Sequence, residues 1–196
     1  MPEEISHEEL RKVIRGAQDG SPEAFQRLYV LFSKRIYNFI WRLIGSTEDA
    51  EDLTQDTFLK VHSELRTLRD PDQFKFWLYR IARNEVYQKL RKSQRATEVS
   101  IDEEDFFFPS LVAEDALELD PERRFLAHEL SGIVQRALES MSPKYRDVFV
   151  LAVFQKMRYD DISETVGRSL LSVKTDVYRA RLIVKDYVKT YLKRQT

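Results

Sequence analysis

Phe76, Arg80, Arg83, Tyr87 and Arg91 recur at intervals of four, three, four and four, so they line one face of any helix that contains them. On that face cations alternate with aromatic rings. Guanidinium groups attract phosphate and rings stack on unpaired bases, so the chemistry on offer is capture of a nucleic-acid strand. The other side of the stretch, Phe74, Trp77, Leu78, Ile81 and Ala82, is an apolar stripe, and Asp72 is placed to cap the helix. For an isolated helix, a wet face with two stray aromatics would be the better explanation. The rest of the chain argues against it.

A second constellation lies upstream. Asp49, Asp52 and Asp56 share a helix face with Lys60, and Gln55 stands beside them. Carboxylates in a first turn suit the helix dipole, and most charge rows are simply solvated. Three acids within two turns also repel one another, which a covering basic partner relieves. On the residues alone the two readings are evenly matched. No histidine or further acid converges on the row, so it is not read as a metal site. His7, His62 and His128 are scattered, and there is no phosphate loop or nucleophile motif. We expect no enzyme, no metal and no cofactor.

The elements that must position these residues are helical. Of 196 residues 33% are charged, while Gly and Pro number only 5 and 6, a composition of helix formers with few turns. Zero cysteines exclude disulfides and thiolate metal sites and fit a reducing cytoplasm. The acidic start MPEEISHEEL lacks a signal-peptide core, and no apolar run approaches a membrane span, so no membrane insertion is expected. The net charge of −1 hides segregation. Phe74 to Arg95 carries seven basic residues against one acid, Glu98 to Glu122 ten acids and no base, and Arg168 onward eight bases against two acids. Two basic patches flanking an acidic strip suit two contacts to one polyanion.

In chain order, residues 1–20 read as a polar lead, with a helix over 8–17. Ser21-Pro22-Glu23 starts a helix whose stripe runs from Phe25 to Leu43 and closes at Gly45; Ser46-Thr47 starts the next, with Ala50, Leu53, Thr57, Val61 and Leu65 inward. With the helix from Phe74, these form a first domain over 21–95. Residues 96–124 read as an acidic linker, in which Phe106-Phe107-Phe108 is either a local anchor or a plug for a partner. A second domain over 125–196 has an apolar stripe from Phe125 to Met141, a restart at Ser142-Pro143, and Tyr145, Val148, Phe149, Ala152 and Val153 inward. Then Ile162 and Val166 precede Gly167, and Ser169 caps a helix that buries Val173 and Val177. That is helix, glycine corner, helix, the plan of a helix-turn-helix. Its outer side is assigned Ser172, Lys174, Thr175, Asp176, Tyr178, Arg179 and Arg181, residues able to reach base edges or phosphates.

Two quoted motifs now sit in a fixed order. DAEDLTQDTFLKVH followed by FKFWLYRIARNEVYQKLRK resembles the second conserved region of bacterial extracytoplasmic-function (ECF) sigma factors. LESMSPKYRDVFVLAVFQKMRYDDISETVGRSLLSVKTDVYRARLIVK resembles their fourth region. The resemblance covers roughly residues 22–92 and 126–190. It implies an all-α protein: a three- to four-helix region 2 bundle and a helix-turn-helix region 4, joined by the acidic linker.

The resemblance also implies partners and roles. Asp49, Asp52, Gln55 and Asp56 would dock on the coiled coil of the β′ subunit of RNA polymerase core, and region 4 on the β flap. Arg80, Arg83, Asn84, Tyr87, Lys89 and Arg91 would engage melted bases of the promoter minus-ten element. Arg168, Ser169, Ser172, Lys174, Thr175, Asp176, Tyr178, Arg179 and Arg181 would read the minus-thirty-five element. An anti-sigma factor is an expected further partner. Family members often hold a base where this chain has Asp176, so that acid either accepts from cytosine N4 or faces away from DNA. Two rivals remain: an autonomous helix-turn-helix regulator, which would bind duplex DNA unaided, and a helical adaptor whose partner binding would ignore salt.

Overall fold

The computed structural model describes residues 5–96 and 121–194, and among them the chain is all-helical, with eight α-helices. The first four are α1 (His7–Gln18), α2 (Pro22–Ile44), α3 (Thr47–Glu64) and α4 (Phe74–Ala96). Each start has a local cause. The hydroxyls of Ser6, Ser21 and Ser46 accept from the backbone N–H groups of Glu9, Ala24 and Asp49. Gly45 ends α2 at φ 80°, a left-handed conformation closed to most side chains. The stripes meet in one core of Leu28, Phe32, Ile36, Phe39, Ala50, Leu53, Phe74, Leu78 and Ala82, with Trp77 and Ile81 inside as expected.

One local reading is corrected. Asp70, not Asp72, caps the entry to α4, accepting from the Asp72 backbone N–H at 3.0 Å across a short 3-10 turn (Pro71–Gln73). Asp72 instead accepts two 2.6 Å bonds from Arg11 of α1. The polar lead is thereby fastened down: Ile14 is buried, and Gln18 donates to the carbonyls of Leu65 and Leu68.

The second module comprises α5 (Pro121–Ser140), α6 (Pro143–Phe149), α7 (Tyr159–Val166) and α8 (Leu170–Arg194). Between α6 and α7, Val150–Phe154 winds as a π turn. The wider turn shifts the stripe, so Val150 and Leu151 are buried while Val153, expected inward, is exposed. Leu130, assigned to the α5 stripe, is also exposed. Gly167 makes the α7–α8 corner at φ 66°, and Ser169 accepts from the Ser172 N–H, so the helix-turn-helix forms where its sequence pattern lay. Val173 and Val177 are buried behind α8.

The two modules do not stand apart. Apolar residues of both belong to one continuous core, and α7 packs on α4 while α5 and the π turn pack on α2. Phe106-Phe107-Phe108 and the acidic strip fall outside the described residues. No helix among the described residues is long and apolar enough to cross a membrane.

Candidate functional site

Three surfaces carry the residues singled out from the sequence. The first is the outer face of α3. Its inward positions are fixed by Ala50, Leu53, Thr57 and Val61, which leaves Asp52, Gln55 and Asp56 in solvent. Asp49 is half-buried and ion-paired with Lys89 of α4, so it stands outside that open row. Lys60 is likewise taken, by Glu85 at 2.9 Å. The hydrogen bond to Glu85 holds the Lys60 ammonium above the usual lysine range. A feature missed from the sequence adjoins the acids. Gln55, Phe58 and Leu59 line an apolar cleft of about 470 Å³ with Phe25, Tyr29 and His62. Leu59 is 70% exposed, off the inward stripe, and nothing in its spacing marks it as functional. A leucine that open beside a carboxylate row is the composition of an interface core with a polar rim.

The second surface is α4. Arg80, Asn84 and Arg91 are exposed. Arg80 lies over a cleft of about 220 Å³ formed with Leu68, Phe76 and Trp77 and bordered by Glu164 of α7. Arg83 and Tyr87, placed on the same outward face by their spacing, turn instead toward the second module. Arg83 Nε donates to Asp147 Oδ2 at 2.6 Å, Tyr87 Oη donates to Asp147 Oδ1, and the guanidinium lies 4.8 Å from the Tyr87 ring centroid. Asp147 is fully buried. Burial pushes its carboxyl above the usual aspartate range, against the pull of Arg83 and the two hydrogen bonds. Burial, reinforced by the Asp147 charge, pushes the Tyr87 hydroxyl up as well. The seam continues with Tyr79 Oη donating to Gln155 at 2.6 Å and Arg146 donating to the Leu43 carbonyl at 2.6 Å. In this arrangement three of the six α4 candidates are engaged with protein: Arg83 and Tyr87 with Asp147, and Lys89 with Asp49.

The third surface is α8. Lys174, Thr175, Tyr178, Arg179 and Arg181 are exposed, with Ser169 at the corner and Ser172 half-buried. Arg179 donates to the Tyr145 hydroxyl at 3.2 Å. Asp176 does not belong to this outer side. It is 1% exposed and binds Arg168 at 2.8 Å and Lys144 at 3.2 Å. Its position, three residues after Val173 and one before Val177, puts it on the inward face, where the acid is tolerable because two cations meet it. Arg168 is held by the same bond and is mostly buried. Leu171, overlooked in the sequence, is 76% exposed in the first turn of α8.

No group of three or more potential metal ligands occurs among the described residues. The surfaces offer cations, rings, amides and carboxylates, which is equipment for binding.

Comparison with known proteins agrees. Residues 28–96 match the family model for sigma-70 region 2, and residues 131–183 match that for sigma-70 region 4. The ECF RNA polymerase sigma factor SigW of Bacillus subtilis is 28% identical over 92% of this chain and 97% of its own length. The ECF RNA polymerase sigma factor SigE of Mycolicibacterium smegmatis is 32% identical over 79% of this chain, which spans 57% of that protein. Among solved structures, the sigma factor RpoE of Bartonella quintana, in complex with the anti-sigma factor NepR, superposes with a TM-score of 0.68 at 24% identity, covering 84% of this chain and 96% of that one. The region 2 and region 4 matches fall on the two modules built above, in the same order, and the chain belongs to the ECF RNA polymerase sigma factors, non-enzymatic proteins that direct RNA polymerase to promoters.

Proposed function

We propose that the three surfaces divide the work of promoter recognition. The exposed row Asp52, Gln55 and Asp56, with Leu59 as its apolar anchor, docks on the polymerase β′ coiled coil. Asp49 supports the row from its edge through Lys89. Arg80, Asn84 and Arg91 hold melted minus-ten bases, and Arg83 and Tyr87 join them once released from Asp147; Lys89 completes the basic side of α4. Capture must offset unstacking, which costs on the order of a few kcal/mol, and ring stacking with charge-assisted hydrogen bonds is of that size. In the second module Lys174, Thr175, Tyr178 and Leu171 face the major groove of the minus-thirty-five element, a leucine suiting a thymine methyl, while Ser169, Ser172, Arg179 and Arg181 reach phosphates. Asp176 and Arg168 hold that helix in place from behind. The same module contacts the β flap. The protein works in the cytoplasm, with an anti-sigma factor as regulator; the NepR complex of the Bartonella relative supports that partnership by analogy.

The observation that carries this reading is the pairing of an exposed acid–leucine face on α3 with an exposed Arg–Asn face on α4 of the same module. Run-off transcription with polymerase core tests it. Arg80→Ala with Asn84→Ala should lower open-complex formation by about tenfold or more and leave co-purification with core intact. Asp52→Lys with Asp56→Lys should abolish co-purification. Normal transcription by the first variant, or retained core binding by the second, removes the corresponding assignment.

A further inference from the structure

The seam between the modules contains a cleft that the division of labour above does not use. Its volume is about 430 Å³, within the range of small-molecule sites. Arg35 and Arg42 reach it from α2, Lys75 from α4, and Lys156 from the end of the π turn. Four cations therefore face one space. Arg42 is wedged between rings, its guanidinium carbon 5.0 Å from the Trp41 centroid and 4.2 Å from that of Phe154. Its Nη1 is buried and has no hydrogen-bond partner among the described residues, and so is Asn38 Oδ1 beside it. Turning the Asn38 amide over would present a second donor to the same space. Lys156 is the one non-glycine residue at positive φ among the described residues, at 50°, a conformation that costs energy and is retained where the surroundings demand it.

Electrostatics point the same way. Burial pulls the Arg42 guanidinium down to about 10. Lys75 is lowered by burial and by the charge of Arg35, with Asp161 only partly opposing. An anion in the cleft would reverse both penalties and satisfy the buried donor. Guanidinium forks and ammonium points converging on a pocket this small match a compact, multiply charged oxyanion better than an extended acidic chain.

We propose that this cleft binds a phosphate-bearing anion of pyrophosphate type, and that the anion bridges the two modules. The site is complete only in the closed arrangement, because Lys156 comes from one module and the other three cations from the other.

The test is a titration of the full chain with sodium pyrophosphate at constant ionic strength. Thermal unfolding and the fluorescence of Trp41, which lines the cleft, are the readouts. Saturable binding with one site per chain is expected, with a rise in Tm of about 5–10 °C at a hundredfold excess over Kd. Arg35→Gln, Lys75→Gln and Lys156→Gln combined should weaken binding by about tenfold or more. Arg42 is left intact because its ring contacts hold the seam. Displacement of pyrophosphate by a short single-stranded DNA would identify nucleic-acid phosphate as the source; failure to displace it would identify a small-molecule phosphate. Unaltered affinity in the triple variant, or a Tm rise that fails to saturate and merely follows ionic strength, would overturn the proposal. So would displacement by an acidic peptide at lower concentration than pyrophosphate.

Discussion

Asp147 and Asp176 show how much one buried carboxylate decides. Asp147 joins Arg83 and Tyr87 of the other module, while Asp176 ties α8 to Arg168 and Lys144. Removing one partner of such a pair leaves an uncompensated charge. Arg83→Ala and Asp147→Ala should each lower unfolding free energy by about 2–4 kcal/mol, below the value for a fully buried pair because the Arg83 side chain is 26% exposed. The double variant should lose less than the sum, with a coupling of about 1–3 kcal/mol in urea unfolding; strict additivity would mean the pair contributes nothing of its own. Asp176→Ala should cost about 3 kcal/mol in the same measurement and leave minus-thirty-five base preference unchanged, because its carboxylate is not presented to DNA. A changed preference in a footprint across substituted promoters would contradict that placement.

At the scale of elements, the helix boundaries follow from short-range causes, and these were legible. Ser21, Gly45, Ser46, Gly167 and Ser169 each do locally what their residue type suggests. The inward stripes of α3 and α4 also hold as read, with Trp77 in the core. What escaped has a common origin in partners distant along the chain. Arg83 and Tyr87 share the outward face by spacing, yet Asp147 lies 64 and 60 residues on and draws them in. The π turn has no marker in the apolar pattern, so Val153 was assigned to the wrong side. Asp176 falls at an inward register, but a charged residue type suggested the surface; Lys144 and Arg168, with the Ser172 hydroxyl, make its burial tolerable. For Gly167 a direct check is available. A Cβ there would meet nothing within 4 Å, so Gly167→Ala should cost only the left-handed backbone strain, about 1–2 kcal/mol in urea unfolding. Asn, which tolerates that conformation, should cost less. Equal stability of the Ala variant would rule out strain at this corner.

For the whole molecule, the closed arrangement is the feature to explain. Its seam combines shared apolar contacts with a line of polar bonds: Tyr79 to Gln155, Arg83 and Tyr87 to Asp147, Arg146 to the Leu43 carbonyl. Polar groups of this kind can be rehydrated when the modules separate, so opening is cheaper than breaking an all-apolar interface of equal size. Separation is also what the proposed role of Arg83 and Tyr87 requires. The absence of cysteines makes a clean test possible. With dyes on Thr67→Cys and Lys189→Cys, both exposed positions, energy transfer should drop when polymerase core is added. Unchanged transfer in a complex that still initiates would mean the modules work without parting.

The order of manufacture gives the polar seam another meaning. A chain grows from its amino end, so α1 to α4 leave the ribosome before α6 and the π turn exist. During that interval the Arg83 guanidinium and the Tyr79 and Tyr87 hydroxyls can remain hydrated, while Phe39, Phe74 and Leu78 already have one another to pack against. The half-made protein thus shows water a flank that is partly polar rather than wholly apolar, and Asp147 arrives later to a docking place already built.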